Sequence, residues 1–206
     1  MRCKYVIMEN ERVERASQAL NSNNLKLFGE LLNQSHKGLA DYYEVSCDEL
    51  NFLVKRANSY GMPVAIHAIG DRGVQIALNA FEYSNHLDLA NRVEHVEVIQ
   101  PGTVQRFREL KVTASMQPNH GTGVIGKYIT PRIGEEREQF AYVWNDFLQG
   151  GVRLALSSDF ATSPFSPLVQ LFDAVFRESP SGLYDGAWYP EQRISFDEAL
   201  YAYNVY

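Results

Sequence analysis

The spacing of apolar residues changes its period near residue 60. Before that point apolar side chains recur every three to four residues, which predicts helices over about 9–22, 25–36 and 46–61. After it, short apolar runs predict strands over about 63–67, 92–96, 112–116 and 152–157. Helical spacing returns between and after these strands, near 71–84, 101–110, 135–149, 165–176 and 196–203. The alternation predicts an α/β fold in which about four parallel strands are flanked by helices, preceded by a helical segment.

Two capping boxes support these helix boundaries. Ser46 precedes Glu49 and Ser195 precedes Glu198, at the spacing in which a serine hydroxyl and a glutamate carboxylate cap the same helix N-terminus. The first box predicts a helix that starts at residue 46, and the second predicts that the last helix starts near residue 195.

Three of the predicted strands end in residue types that bind metal ions. Pro63–His67 is interpreted as a buried strand ending in a histidine, Arg92–His95 ends in a second histidine, and Leu154–Asp159 ends in a carboxylate. A single histidine at a strand end is more often a hydrogen-bonded structural residue. The carboxyl ends of parallel strands are, however, where α/β barrel enzymes place their chemistry. Three such endings therefore predict a site at one rim of the sheet.

Composition narrows the class of partner. Of the 206 residues 45% are hydrophobic and 21% are charged, which is globular, and the formal net charge is −6. An acidic chain without a long Lys/Arg run is a poor partner for nucleic acid or an anionic membrane, so we expect a small-molecule substrate, neutral or cationic. The two cysteines are isolated, the start is charged, and no apolar run approaches the length of a membrane span. We therefore expect a cytoplasmic protein with reduced thiols.

Five motifs in the second part of the chain occur in the order known from one enzyme superfamily. They are Val64–Arg72 (VAIHAIGDR), Arg92–His95 (RVEH), Ser115–His120 (SMQPNH), Leu156–Phe160 (LSSDF) with Pro167-Leu168, and Glu198–Tyr203 (EALYAY). From about residue 54 to the end, the chain resembles the YtcJ-like branch of the amidohydrolase superfamily, called amidohydrolase family 3. The resemblance implies the last four strands of a (β/α)₈ barrel, so that the chain would form a partial TIM barrel.

The same resemblance implies roles for five residues. His67 and His95, on strands five and six of the family's barrel, would bind metal, and Asp159 on strand eight would bind metal and move the proton. Gln117 and His120 follow the seventh strand, where the family shapes its substrate pocket, and would contact substrate. The implied reaction is metal-dependent hydrolysis of an amide or related C–N bond, with zinc as the expected divalent ion.

The ligands of the family's second metal ion are missing from this sequence. The family holds that ion with a His-x-His pair on the first strand and a bridging Lys or Glu on the fourth. No two of the five histidines here, at 36, 67, 86, 95 and 120, are two residues apart. Because a hydrolytic metal needs roughly three protein ligands and an open position, the resemblance implies an incomplete site. An inert remnant or interaction domain stays open as an alternative to an active hydrolase.

The first 57 residues resemble a different family, the C-terminal part of galactokinase within the GHMP superfamily. The matching motifs are Arg2–Val6 (RCKYV) with Glu9-Asn10 and Arg12-Val13, and Tyr43–Cys47 (YEVSC) with Glu49-Leu50. We interpret the chain as a chimera of a helical segment, 1–57, and the C-terminal half of an amidohydrolase-like barrel, 58–206. A galactokinase-like fragment is the weaker functional alternative. Phosphoryl transfer needs a phosphate-binding loop and a Mg²⁺ ligand, which such proteins carry mostly upstream of the matching block.

A half-barrel has two strand edges without a neighbouring strand. These edges lie next to residues 63–67 and 152–157, and unpaired edges invite pairing with another chain. Two copies could close an eight-stranded assembly, so we expect a homo-oligomer formed through the exposed strand edges.

Overall fold

The computed structural model describes residues 2–22, 24, 26–28, 30–31, 34, 47–123, 126–178 and 186–204. The chain divides into two compact units, Met1–Phe52 and Leu53–Tyr206. In the first unit helix α1 spans Arg2–Asn21, so it begins earlier than the apolar spacing predicted, and helix α2, Cys47–Ser59, crosses into the second unit. The second helix predicted over 25–36 and the Ser46 capping box lie largely outside the described residues.

Four parallel strands form one sheet in the second unit. They are β1 (Ala65–Ala68), β2 (Arg92–His95), β3 (Thr113–Met116) and β4 (Leu154–Leu156), in that spatial order. The register pairs His67 with Glu94, Glu94 with Ser115, and Ser115 with Ala155, so all four carboxyl ends reach the same rim. The predicted α/β class and strand positions are confirmed, and the topology is consistent with part of a (β/α)₈ barrel.

Helices connect and follow these strands along the chain. They are α3 (Asp71–Ser84), α4 (Thr103–Glu109), α5 (Pro118–Thr122), α6 (Ile129–Ile133), α7 (Glu135–Glu138), α8 (Trp144–Gln149), α9 (Pro167–Phe176) and α10 (Phe196–Asn204). The Ser195 capping box is confirmed, because Ser195 N donates to Glu198 Oε2 at 2.8 Å and Glu198 N donates to Ser195 Oγ at 3.2 Å. Hydrogen bonds that the Ser195 hydroxyl and the Ser195 backbone N–H donate to Glu198 Oε2 lower the pKa of the Glu198 carboxyl. Within the described residues no helix combines the length and the apolarity that a bilayer crossing requires.

The prediction of one continuous helix over 135–149 is wrong. Helix α7 ends at Glu138, Ala141 forms an antiparallel bridge with Val98, and α8 begins only at Trp144. The run from Phe140 to Trp144 is apolar throughout, so spacing alone does not separate a helix from a buried extended segment. Pairing with Val98 decides the outcome, and it places an extended segment beside the end of β2.

The prediction of a buried first strand is also wrong in part. Strand β1 lies at the edge of the sheet, and Ala65 and His67 are exposed on its open face while Ala68 is buried on the other. In the part of the chain that the structure describes, β1 and β4 each have one neighbouring strand. The expected pairing of two copies through these edges stays a prediction.

Candidate functional site

The side chains singled out in the sequence lie around the carboxyl-terminal rim of the sheet. They are His67 in β1, His95 at the end of β2, Gln117 and His120 at the start of the segment after β3, and Asp159 in the loop after β4. Parallel strands bring the segments that follow them to one rim, which is why residues far apart in sequence meet here.

His67 and His95 make an edge-to-face contact, with their ring centroids 4.4 Å apart. His67 is exposed, whereas His95 is buried. The chain turns sharply as it leaves β2, since His95 and Val96 both have left-handed backbone, with φ of 75° and 49°. This conformation is strained for a β-branched valine, and strain of this kind clusters at functional sites. The turn accompanies the approach of the His95 ring to His67.

Gln117 fixes the orientation of His95. Its Oε1 lies 2.9 Å from His95 Nδ1, and its Nε2 donates to Ser157 Oγ at 2.8 Å. An amide oxygen only accepts, so the hydrogen of His95 lies on Nδ1 and the lone pair of Nε2 is left for another group. Gln117 is itself buried with both ends of its amide engaged. The expected contact between Gln117 and substrate stays a prediction.

His120 lies in the buried helix α5 and stacks against His95. The ring centroids are 5.8 Å apart and the planes differ by 14°. His120 Nδ1 lies 3.2 Å from Glu97 Oε1, and His120 Nε2 lies 3.8 Å from Asp159 Oδ2. Although Nε2 is buried, it forms no hydrogen bond with any residue that the structure describes. A buried nitrogen of this kind requires a physical explanation.

Three of these residues form a group that could hold one metal ion. One ligand atom each from His95, His120 and Asp159 lies within 4.8 Å of the other two. Two imidazoles and a carboxylate are donors that suit Zn²⁺ and related divalent ions. The donor set and the unpartnered Nε2 of His120 therefore fit a divalent metal. His67 lies beside this group through its ring contact with His95, but it does not belong to it.

Helix α5, which carries His120, is anchored by two buried polar residues of α9. Gln170 Oε1 accepts from Asn119 N at 3.1 Å, and Asp173 Oδ2 accepts from Asn119 Nδ2 at 2.7 Å. Both α9 side chains are fully buried. Because Asn119 immediately precedes His120, these two bonds fix the position of the imidazole.

Gln170 also reaches the loop that carries Asp159. Its Nε2 donates to Ser163 Oγ at 3.1 Å, and the Ser163 hydroxyl donates to the carbonyl of Ser158. One side chain thus links the helix of His120 to the residue before Asp159. The distance between the candidate ligands is therefore held by a hydrogen-bonded network beneath them.

Asp173 makes the stability of this network dependent on pH. Burial raises the pKa of its carboxyl from 3.8 to about 6, although hydrogen bonds from Asn119 and Thr122 partly oppose the shift. The folded chain therefore takes up this proton at a higher pH than the unfolded chain does. The buried, ionised carboxylate therefore lowers the free energy of unfolding in full above about pH 6. This destabilisation disappears as the pH falls below about 4, where the carboxyl is protonated in both states.

We expect Asp173→Asn to raise the free energy of unfolding at pH 7.5 by up to about 3 kcal/mol, because the amide carries no charge and still accepts from Asn119. The gain over the native chain should shrink steadily between pH 7 and pH 4. Urea unfolding at several pH values measures it, with the exposed Asp88→Asn as control. A variant that is less stable than the native chain at pH 7.5 would contradict this account.

Sequence reasoning missed Glu97 and Gln170. Glu97 lies between two valines just after β2, and alternation gives no sign that its carboxylate is buried against a histidine from another loop. Gln170 did leave a signal, because it shares the buried side of α9 with Leu171 and Ala174. A polar residue at a core position of a helix is seldom buried without a hydrogen-bond partner.

A cleft on the open face of the sheet adjoins the rim. Its lining includes Arg92, Glu94, Thr113, Ser115, Arg153 and Ser157. Arg92 and Glu94 form an ion pair on its floor, and Ser157 connects it to the rim through the hydrogen bond from Gln117. The cleft offers polar space for a small molecule, and its Ser157 end reaches the rim.

Comparison with known proteins gives the family. The sequence model of the amidohydrolase family matches residues 6–205. An N-substituted formamide deformylase of Arthrobacter pascens is 30% identical over 176 residues, which are 84% of this chain and 31% of that protein. The crystal structure of an uncharacterized metal-dependent hydrolase from Pyrococcus furiosus matches with a TM-score of 0.65 and 35% identity, covering 77% of this chain and 31% of its own. The chain belongs to the amidohydrolase family, and it spans about a third of the length of these two proteins.

Galactokinases match a shorter segment. The galactokinase of Clostridium perfringens is 55% identical over 56 residues, which are 27% of this chain. This match supports the interpretation of the chain as a chimera of two fragments. The amidohydrolase model begins at residue 6 and so also takes in the galactokinase-like segment. The 55% identity of the galactokinase match favours a galactokinase-like origin for that segment, and the boundary near residue 57 stays a prediction.

Proposed function

We propose that this chain acts as a metal-dependent hydrolase of the amidohydrolase type, on amide-like C–N bonds. The observation that carries the proposal is the convergence of His95, His120 and Asp159 at one rim of the sheet. Zinc is the proposed ion, because imidazole and carboxylate donors suit it. The cytoplasm is the proposed compartment, because the two cysteines of the sequence are isolated.

The chemistry divides between the ion and the protein. A divalent metal, when bound, supplies Lewis acidity that polarises a carbonyl and makes water a better nucleophile at neutral pH. His95 and Asp159 would hold it, and the hydrogen bond from His95 Nδ1 to Gln117 leaves the His95 Nε2 lone pair available for this role. Asp159 is the most exposed of the three clustered residues, with 39% of its side chain accessible, so it can meet both water and substrate.

We also assign the proton transfer to Asp159. An amine leaves a tetrahedral intermediate only once its nitrogen is protonated, so a group at the rim must take the proton of the attacking water and return it to nitrogen. The carboxylate of Asp159 fits this task because it lies at the open side of the cluster, in a backbone conformation of φ 51° that aspartate tolerates better than most residues. The cleft beside Ser157 would receive the remainder of the substrate.

We expect Asp159→Asn to lower the rate of hydrolysis by about 10²–10⁴-fold, because an amide cannot accept and return the proton. The relative from Arthrobacter pascens is named for removing the formyl group from N-substituted formamides, so these are the first substrates to test. Formate release by the zinc-loaded chain at saturating zinc measures the rate, and Asp88→Asn is the control on an exposed carboxylate.

An inactive native chain would decide against the hydrolase proposal. If the zinc-loaded chain releases neither formate from N-substituted formamides nor amine from simple N-acyl amides, the proposal is wrong. The inert remnant then becomes the better account of this sequence.

A further inference from the structure

His120 has the surroundings of a metal ligand rather than those of a substrate contact. Only 3% of the residue is exposed, and its Nε2 is buried without a hydrogen bond to any residue in the described ranges. Leaving a buried polar atom unpaired costs about 1–3 kcal/mol. A bound cation at this point would use the lone pair and remove that cost.

Glu97 determines which nitrogen of His120 carries the hydrogen. Its Oε1 lies 3.2 Å from His120 Nδ1, and a carboxylate oxygen only accepts, so the hydrogen lies on Nδ1. The lone pair of Nε2 then points away from Glu97 and toward Asp159. A carboxylate behind a histidine in this way is the usual outer partner of a metal-binding imidazole.

The backbone of Glu97 is held from two sides. Val96 N donates to Ala68 O and Val98 N donates to Ile69 O, both at 3.1 Å, while Tyr142 N donates to Glu97 O at 2.7 Å. The segment therefore cannot easily move to release the buried carboxylate. Glu97 forms a fixed support behind His120 rather than a loop residue that happens to lie near it.

A simple ion pair is the alternative explanation for this cluster. A doubly protonated His120 would bridge Glu97 and Asp159 without any metal. The separation of 3.8 Å between Nε2 and Asp159 Oδ2 is within the range of an ion pair but too long for a hydrogen bond, so direct pairing would leave the Nε2–H without an acceptor. Nε2 of His120 therefore has no hydrogen-bond partner among the described residues, and a bound cation would supply a partner for it.

We propose that His120 is a metal ligand through Nε2, with Glu97 as the positioning residue that sets its tautomer. His95, His120 and Asp159 then form a three-ligand site within this single chain, which is the number of protein ligands that catalytic zinc sites have. This inference rests on the proposed function, since it names the ligands of the same site. It gives His120 a role different from the substrate contact implied by its position after β3.

The test measures Co²⁺ and Zn²⁺ affinity of the full chain by visible absorption and by competition with a chelating dye. We expect about one ion per native chain. His120→Ala should lose more than about 100-fold in affinity, beyond the ~10–100-fold typical of outer partners, and Glu97→Gln should fall within that smaller range. His86→Ala, which changes a histidine away from the rim, is the matched control, and its affinity should change less than about threefold. His67→Ala tests the other histidine that the family resemblance implies as a ligand. His120→Asn, which can still donate toward Glu97 but has no atom at the place of Nε2, repeats the test if the alanine variant does not fold.

The outcomes separate this inference from the proposed function. Affinity that survives in both His120 variants but is lost in His67→Ala would overturn the role of His120 and leave the hydrolase proposal standing. Loss of affinity in the His120 variants, together with a native chain that hydrolyses nothing, would support the site and refute the proposed function. No metal binding by the native chain would overturn both.

Discussion

Replacing His95 by alanine is expected to abolish the thermal stabilisation that Zn²⁺ gives to the native chain. His95 contacts the ring of His67, stacks on His120 and belongs to the three-residue group at the rim. It is therefore in contact with both other histidines of the rim. An ion present at 100 times its dissociation constant stabilises a folded protein by about 2.7 kcal/mol. For a chain of this length that corresponds to a rise in melting temperature of about 5–10 °C.

Melting curves with and without Zn²⁺ measure this difference. His86→Ala is the matched control, because His86 lies away from the rim and contacts Ser84 through its Nδ1. We expect this control to keep the full zinc-dependent shift. A zinc-dependent shift in His95→Ala equal to that of the native chain would show that the ion binds somewhere other than the rim.

Replacing Arg177 by alanine is expected to lower the free energy of unfolding by about 3–5 kcal/mol. Arg177 is fully buried just after α9, with its guanidinium 4.1 Å from the ring centroid of Trp144 and 4.8 Å from that of Trp188. It donates to Tyr142 O at 2.7 Å and to Trp188 O at 2.8 Å. Alanine would remove both of these donated hydrogen bonds and leave a cavity between two indoles.

The effect should reach the candidate site, because Tyr142 N donates to the carbonyl of Glu97. Denaturant unfolding measures the loss of stability, and Arg193→Ala is the matched control near the same helix end. Arg193 is exposed and bonds to Phe176 O and to the partly exposed Glu178, so its removal should cost no more than about 1 kcal/mol. Equal losses in the two variants would contradict the role assigned to the buried guanidinium.

The sequence located the sheet well because parallel strands leave a strong signal. Each predicted strand lies within two residues of an observed one, and α3 spans Asp71–Ser84 as predicted. Buried apolar runs bounded by helices of regular spacing produce that agreement. Apolar runs also explain the failure at 135–149. An unbroken apolar run does not reveal whether it forms a helix or pairs with another extended segment. There the pairing of Ala141 with Val98 depends on tertiary structure alone.

The site was predictable in location but not in detail. The ends of β1, β2 and β4 supplied His67, His95 and Asp159 because strand ends share a rim. The contact between Glu97 and His120 joins two loops, and no spacing along the chain encodes it. The link from Gln170 through Ser163 to Ser158 likewise arises only when α9 packs against α5. What decides the chemistry here is the set of contacts between loops, which short-range sequence patterns do not contain.

The most direct test of the central claim is the metal content of the full chain after purification and equilibration with zinc. If the rim gathers its ligands around one ion, elemental analysis should find about one zinc per native chain and less than about a tenth of that in His95→Ala. Equal zinc in the native chain and the variant, or none in either, would contradict the claim that these side chains form a metal centre.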